Sequence, residues 1–143
     1  MIIFVDDDLK KGKLDAEKYL LNKELNKEPK LELQTFHCID DAWDYVQEQK
    51  PEDINLFITG IIMPPGKLLK DKYETYGNLR TGKVFVDLLR KDFLKVPIVV
   101  YTVVHKDTGL RDWAESLSNV TLLKKNQTTS LEFVAMIKNI LLN

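Results

Sequence analysis

The chain has 143 residues, 44% of them apolar and 30% charged, with 22 acidic and 21 basic side chains and a formal charge of −1. That length fits one domain, 1–143, with a core large enough to need no covalent staples. The near-neutral balance excludes a general nucleic-acid or membrane-surface binder, and the single cysteine, Cys38, excludes an intrachain disulfide. The opening MIIFVDDDLK puts three carboxylates where an export signal needs a basic start, and the longest apolar stretch, Val96 to Val104, is broken by Pro97 and Thr102. A cytoplasmic protein without a membrane span is the expectation.

Ile2–Val5 is a short β-branched run that stops at an acidic cluster, as a buried strand does. From Leu14 to Leu25 the apolar residues Leu14, Leu21 and Leu25 share a helical face, and Pro29 closes the segment. Alternation through Leu31, Leu33, Thr35 and His37 predicts a second strand. Asp40 and Asp41 read as N-cap residues of a helix carrying Ala42, Trp43 and Val46. Ile54–Thr59 is a third strand, Thr81–Phe93 a helix, Pro97–Thr102 a fourth strand and Leu110–Leu117 a short helix. Val120–Leu123 is a fifth strand, and Ser130 caps a last helix to about Leu142. His37 and His105 have no spacing that suggests a metal site or a catalytic dyad.

Five β-α units with apolar strands predict a parallel sheet covered on both faces. Right-handed crossovers leave a flavodoxin-like (βα)5 doubly wound sheet, strand order 2-1-3-4-5, as the expected topology. Ligands in such sheets bind beyond the carboxyl ends of the strands. The residues there are Asp6 to Asp8, Gly60 to Pro64, Thr102, and Lys124 with Lys125.

The segments IIFVDDD, NLFITGIIMPPG, TGKVFVDLLR, VPIVVYT and VTLLKK, in that order, resemble the receiver domain of two-component response regulators. The resemblance implies a CheY-like signalling domain of a phosphorelay. It implies Mg²⁺ held by Asp6, Asp7 and the Ile62 carbonyl, and phosphoryl contacts from Thr102 and Lys124. The adjacent Lys125 leaves the lysine register open by one residue. The family's phosphoacceptor aspartate falls on Gly60, which has no side-chain oxygen. No proline follows the lysine, and the family's switch aromatic falls on Thr121. A degenerate, stand-alone pseudo-receiver is the expectation: no enzyme, no required cofactor, Mg²⁺ binding weak, action by protein–protein interaction.

Two further stretches carry information. Pro64 and Gly82 are eighteen residues apart where the family has about four, so about 65–81 is an insertion, long enough to be functional. It carries Lys67, Lys70, Lys72 and Arg80 against Asp71 and Glu74, with Tyr73 and Tyr76 among them, and reads as a partner-binding or pocket-covering flap or as a loop of solvated charges. The last helix is apolar nearly all round, so Phe133 and Ile137 are partner-contact candidates, and the helix reads either as a face for a homodimer or another partner or as a deeply packed terminal helix. Two alternatives remain. Asp6 as nucleophile with Asp8 as general acid is similar to haloacid-dehalogenase-like phosphatases. A receiver could also take phosphate at a neighbour such as Thr59, although strand alternation points Thr59 away from the pocket.

Overall fold

The computed structural model describes residues 1–104 and 109–143; His105 lies outside them. Eleven strands and helices organise them. They are β1 (Ile2–Val5), α1 (Asp15–Leu25), β2 (Leu33–Phe36), α2 (Ile39–Gln47), β3 (Leu56–Thr59) and α3 (Gly66–Leu69). Then follow α4 (Thr81–Asp92), β4 (Ile98–Thr102), α5 (Leu110–Ser116), β5 (Val120–Lys124) and α6 (Ser130–Leu142). The sheet is all parallel in the order β2-β1-β3-β4-β5, the flavodoxin-like arrangement expected from the β-α alternation. No helix of the described residues is long and apolar enough to cross a membrane.

The three central strands are buried along their whole length, which is why they read as continuous apolar runs. Alternation sends their side chains to two cores. Ile3, Val5, Phe57, Ile98 and Val100 pack with Ile39, Val46, Phe85 and Leu89 of α2 and α4. Ile2, Phe4, Ile58, Val99 and Tyr101 pack with Leu21 and Leu25 of α1 and Phe133 and Ile137 of α6. Lys138 reaches across from α6 to Glu24 of α1, 2.7 Å away.

Two capping expectations shift. The α2 helix begins at Ile39 with Cys38 at its N-cap, and Asp40 serves another helix, described below. Thr129 caps α6, one residue before the expected Ser130. Its hydroxyl accepts from the Glu132 N–H, and the Glu132 carboxylate accepts from the Thr129 N–H, each at 3.1 Å.

The insertion folds against α2. Both Asp40 carboxylate oxygens accept backbone N–H groups at the start of α3, from Lys67 and Leu68, each at 2.9 Å. Leu69 is buried in the α2/α4 core. The Met63 N–H donates to the Asn78 carbonyl and the Arg80 N–H to the Thr75 carbonyl, so the excursion closes on itself.

Candidate functional site

The strand ends hold a packed ionic cluster over a glycine. Asp6 follows β1 in extended backbone (φ −165°), and its carboxylate accepts from the Asp8 N–H at 2.9 Å, which closes the turn Asp7–Leu9. Its side chain faces the α1/α6 side of the sheet, as do Phe4 and Ile2 before it. Asp6 is only 1% exposed. Such a carboxylate needs a cation, and Lys125 supplies it: its ammonium lies 2.7 Å from Asp6 Oδ2 and 3.0 Å from Asp8 Oδ2. The same ammonium stands 5.7 Å from the centre of the Tyr101 ring.

This assigns the strand-end lysine to Lys125. Lys124 ends β5 in register with Thr102, and it forms no ion pair with another described residue. The reason is alternation. Leu123 joins the α1/α6 core while Leu122 packs on the α2/α4 side. The next residue on the Leu123 side is Lys125. Thr102 is buried and follows Val100 toward the α2/α4 side, so Thr102 and Lys124 do not join the acidic cluster.

Gly60 lies directly beneath Asp6. A Cβ built on Gly60 would stand 2.6 Å from Asp6 Oδ2 and 3.0 Å from Asp6 Cγ. The volume that a side chain at 60 would fill therefore holds the Asp6 carboxylate. Gly82, in the first turn of α4, packs on the other side of the same peptide. A Cβ there would stand 1.8 Å from the Gly60 carbonyl oxygen, and the Gly82 N–H donates to the Ile61 carbonyl at 2.9 Å. The two glycines let α4 and Asp6 close on one stretch of backbone. Thr59 is buried on the Phe57 side, its hydroxyl donating to the Gly60 carbonyl at 3.0 Å, so it points away from Asp6.

The electrostatics follow from burial and from Lys125. Burial pushes the Asp6 carboxyl above the ordinary aspartate value, against the pull of the Lys125 ammonium and the Asp8 N–H. At Asp8 partial burial pushes upward too, but the Lys125 hydrogen bond and charge, with Lys13 and Lys11 nearby, hold it below the ordinary value. Asp7 is half-buried and, among the described residues, pairs only with Lys11, at 3.3 Å. The ligand atoms of Asp6, Asp7 and Asp8 fall within 4.8 Å of one another. A divalent cation would have to compete with Lys125 for Asp6 and Asp8, which leaves Asp7 as the accessible carboxylate. Ile62 sits on the exposed turn beyond Gly60.

A second polar group lies behind the cluster and has no counterpart in the sequence reading. Glu17 of α1 is buried, and its carboxylate accepts from the Ser130 hydroxyl at 2.9 Å and the Tyr101 hydroxyl at 3.5 Å. Burial, with Glu17 beside it, raises the Tyr101 phenol to about 12. Tyr101 thus touches both groups, its ring under Lys125 and its hydroxyl on Glu17.

The partner candidates divide. Tyr73 and Tyr76 are exposed on the insertion, with the Arg80 guanidinium 4.5 Å from the Tyr76 ring centre. Phe133 and Ile137 are corrected: both are 0% exposed. They form the i,i+4 stripe by which α6 covers the sheet, Phe133 stacking on Tyr101 at 4.4 Å between ring centres. Leu131, Met136 and Leu142 are the large exposed apolar side chains of that helix.

Scans of the sequence against family models and curated proteins, and of the structure against solved structures, return no match.

Proposed function

We propose that the chain is a receiver-like signalling domain of the two-component type that acts by protein–protein interaction and without aspartyl phosphorylation. One observation carries the reading. At Gly60, where the resemblance puts the phosphoacceptor, the missing side-chain volume is filled by the Asp6 carboxylate, itself clamped by Lys125. An acceptor needs a carboxylate open to an incoming phosphoryl group; Asp6 is enclosed and already bonded on both oxygens. The same enclosure speaks against Asp6 as the nucleophile of a phosphatase with Asp8 as its acid, because one ammonium holds both. Mg²⁺ binding at Asp6, Asp7 and the Ile62 carbonyl is weak on this reading, because the lysine supplies the positive charge from within. The setting is a reducing compartment such as the cytoplasm, and output passes to a protein partner rather than to nucleic acid.

The test is incubation with acetyl phosphate and Mg²⁺, followed by intact mass, and with beryllofluoride and Mg²⁺, followed by two-dimensional NMR. The expected result is no phosphoryl adduct and no shift of the Gly60, Thr102 or Lys125 amides. A stoichiometric adduct labile to hydroxylamine overturns the proposal.

A further inference from the structure

Two patches of opposite charge lie side by side where the insertion meets α2. Helix α2 contains no lysine or arginine. At 100° per residue, Asp40, Asp44, Glu48 and Asp41 fall within an arc of about 100°. Like charges three and four residues apart weaken a helix. Asp40 is bonded to the insertion, but Asp41, Asp44 and Glu48 are exposed and form no ion pair with another described residue. Across the seam, Lys67, Lys70, Lys72 and Arg80 are exposed and equally without an ion pair among the described residues. Asp71 and Glu74 leave the insertion at +2, and the Glu74 carboxylate accepts the Tyr76 N–H.

The seam is concave and held in shape. A hollow of about 470 Å³ is lined by Asp41, Asp44, Trp43, Lys67 and Leu68, beside Asp40. A second of about 550 Å³ runs along the insertion past Lys67, Lys70 and Tyr73. Asp40 and Lys67 line both, so the acidic and basic patches are contiguous. Gly66 (φ +62°) presses against the Asp40 carboxylate, where a Cβ would approach to 2.6 Å. Tyr76 is held at φ +51°, a conformation an aromatic residue adopts only under constraint. A surface fixed in this way loses little freedom on binding.

We propose that this face is a two-fold interface between two copies of the chain. The acidic face of α2 in one copy meets the basic insertion of the other, and the reverse. A two-fold contact requires a self-complementary patch. A face carrying both signs side by side meets that requirement, because rotation sets acid against base twice. A partner of a single sign would leave one half of the seam against like charge. Trp43, Leu68 and Tyr73 supply apolar contact between the charged halves. The hollows share no lining residue with the strand-end cluster.

The test is light scattering and sedimentation of the whole chain. At low salt the chain is expected to dimerise, and in about 1 M salt, where screening acts within about 3 Å, to dissociate. Asp41→Lys with Asp44→Lys, and separately Lys70→Glu with Lys72→Glu, are each expected to weaken self-association at least about tenfold, or by 1.4 kcal/mol. An equimolar mixture of the two is expected to form a mixed dimer. Circular dichroism checks that the variants fold; should either fail, Asp44→Asn and Lys70→Gln replace them, with at least a threefold weakening expected. A chain monomeric at low salt and millimolar concentration overturns the proposal. So does a dimer that persists in both variants, which would place the contact on another face such as α6, or a mixture that stays monomeric.

Discussion

At the scale of the residue, the decisive feature is how one lysine and one glycine share the space around Asp6. Lys125 neutralises a carboxylate that is enclosed by β1, β3 and β5, and removing it leaves that charge buried and unpaired. Lys125→Met is expected to destabilise the fold by about 3 kcal/mol, in the range for breaking a buried pair from one side. Lys124→Met, one residue away, is expected to cost less than about 0.5 kcal/mol, as for a side chain outside any network. Adding Asp6→Asn to Lys125→Met is expected to recover most of the loss. Urea unfolding of the four proteins checks this, and equal losses for the two lysines would refute the assignment. The glycine carries a related consequence. Read from the sequence, Gly60→Asp looks like the restoration of a phosphoacceptor. In the structure the new Cβ meets Asp6 Oδ2 at 2.6 Å, so an acceptor at 60 has to displace Asp6 from Lys125 first. The acidic cluster and a lysine after the fifth strand were legible in the residues. Which lysine reaches the cluster was not legible from the motif. The doublet Lys124–Lys125 hides the answer unless faces are counted from Leu123.

At the scale of the element, the sheet order and five of the six helix positions follow from the alternation of short apolar runs with longer periodic ones, α3 of the insertion being the exception. Ile2–Val5 coincides with β1 to the residue. The readings that shifted are those where a polar side chain had two backbones to choose from. Asp40 looks like an N-cap of α2 because Asp at a helix start commonly caps that helix. It instead caps α3, because the insertion brings two free N–H groups to it across 27 and 28 residues of chain. Such long-range pairing leaves no local signature. The apolar last helix posed the same difficulty in another form. Composition showed that one stripe had to cover the sheet, but only packing shows that the stripe is Phe133 and Ile137. The contact between α4 and β3 was hidden for a third reason: a glycine in a helix reads as a weak helix former, not as a point of approach. Its Cα faces the Gly60 carbonyl so closely that a Cβ would stand 1.8 Å from the oxygen. Backbone on both sides has nowhere to go without parting α4 from the strand. Gly82→Ala is therefore expected to lower stability by about 3 kcal/mol, at the upper end for overpacking, although alanine is the better helix former. Thermal melts decide it, and a neutral or stabilising substitution would show that α4 can shift.

At the scale of the whole molecule, the α1/α6 core meets the ionic cluster through Tyr101, and this sets how the fold responds to alkali. Tyr101 is 1% exposed, stacks on Phe133, points its hydroxyl at Glu17 and lies near Asp6. Its phenolate would be enclosed and set among carboxylates, so the neutral phenol is favoured in the native state. The folded pKa, about 12, stands above the ordinary 10.0. Below pH 10 the phenol is neutral in both folded and unfolded chains, and the native preference is fully present. Above it the unfolded chain ionises first and gains free energy that the native state does not, so stability falls as pH rises from 10 toward about 12. Tyr101→Phe keeps the ring on Phe133 and removes the ionisation, while Ser130 still donates to Glu17. Lysine neutralisation also acts in this range, weakening the Lys125 clamp, but it acts equally on both proteins and cancels in their difference. Urea stability measured in steps across that range is thus expected to fall more steeply in the native chain than in Tyr101→Phe, with the curves parallel below pH 10. Parallel curves throughout would mean that Tyr101 ionises as freely in the fold as in the unfolded chain, and that the link between the α1/α6 core and the strand-end cluster is not closed to solvent.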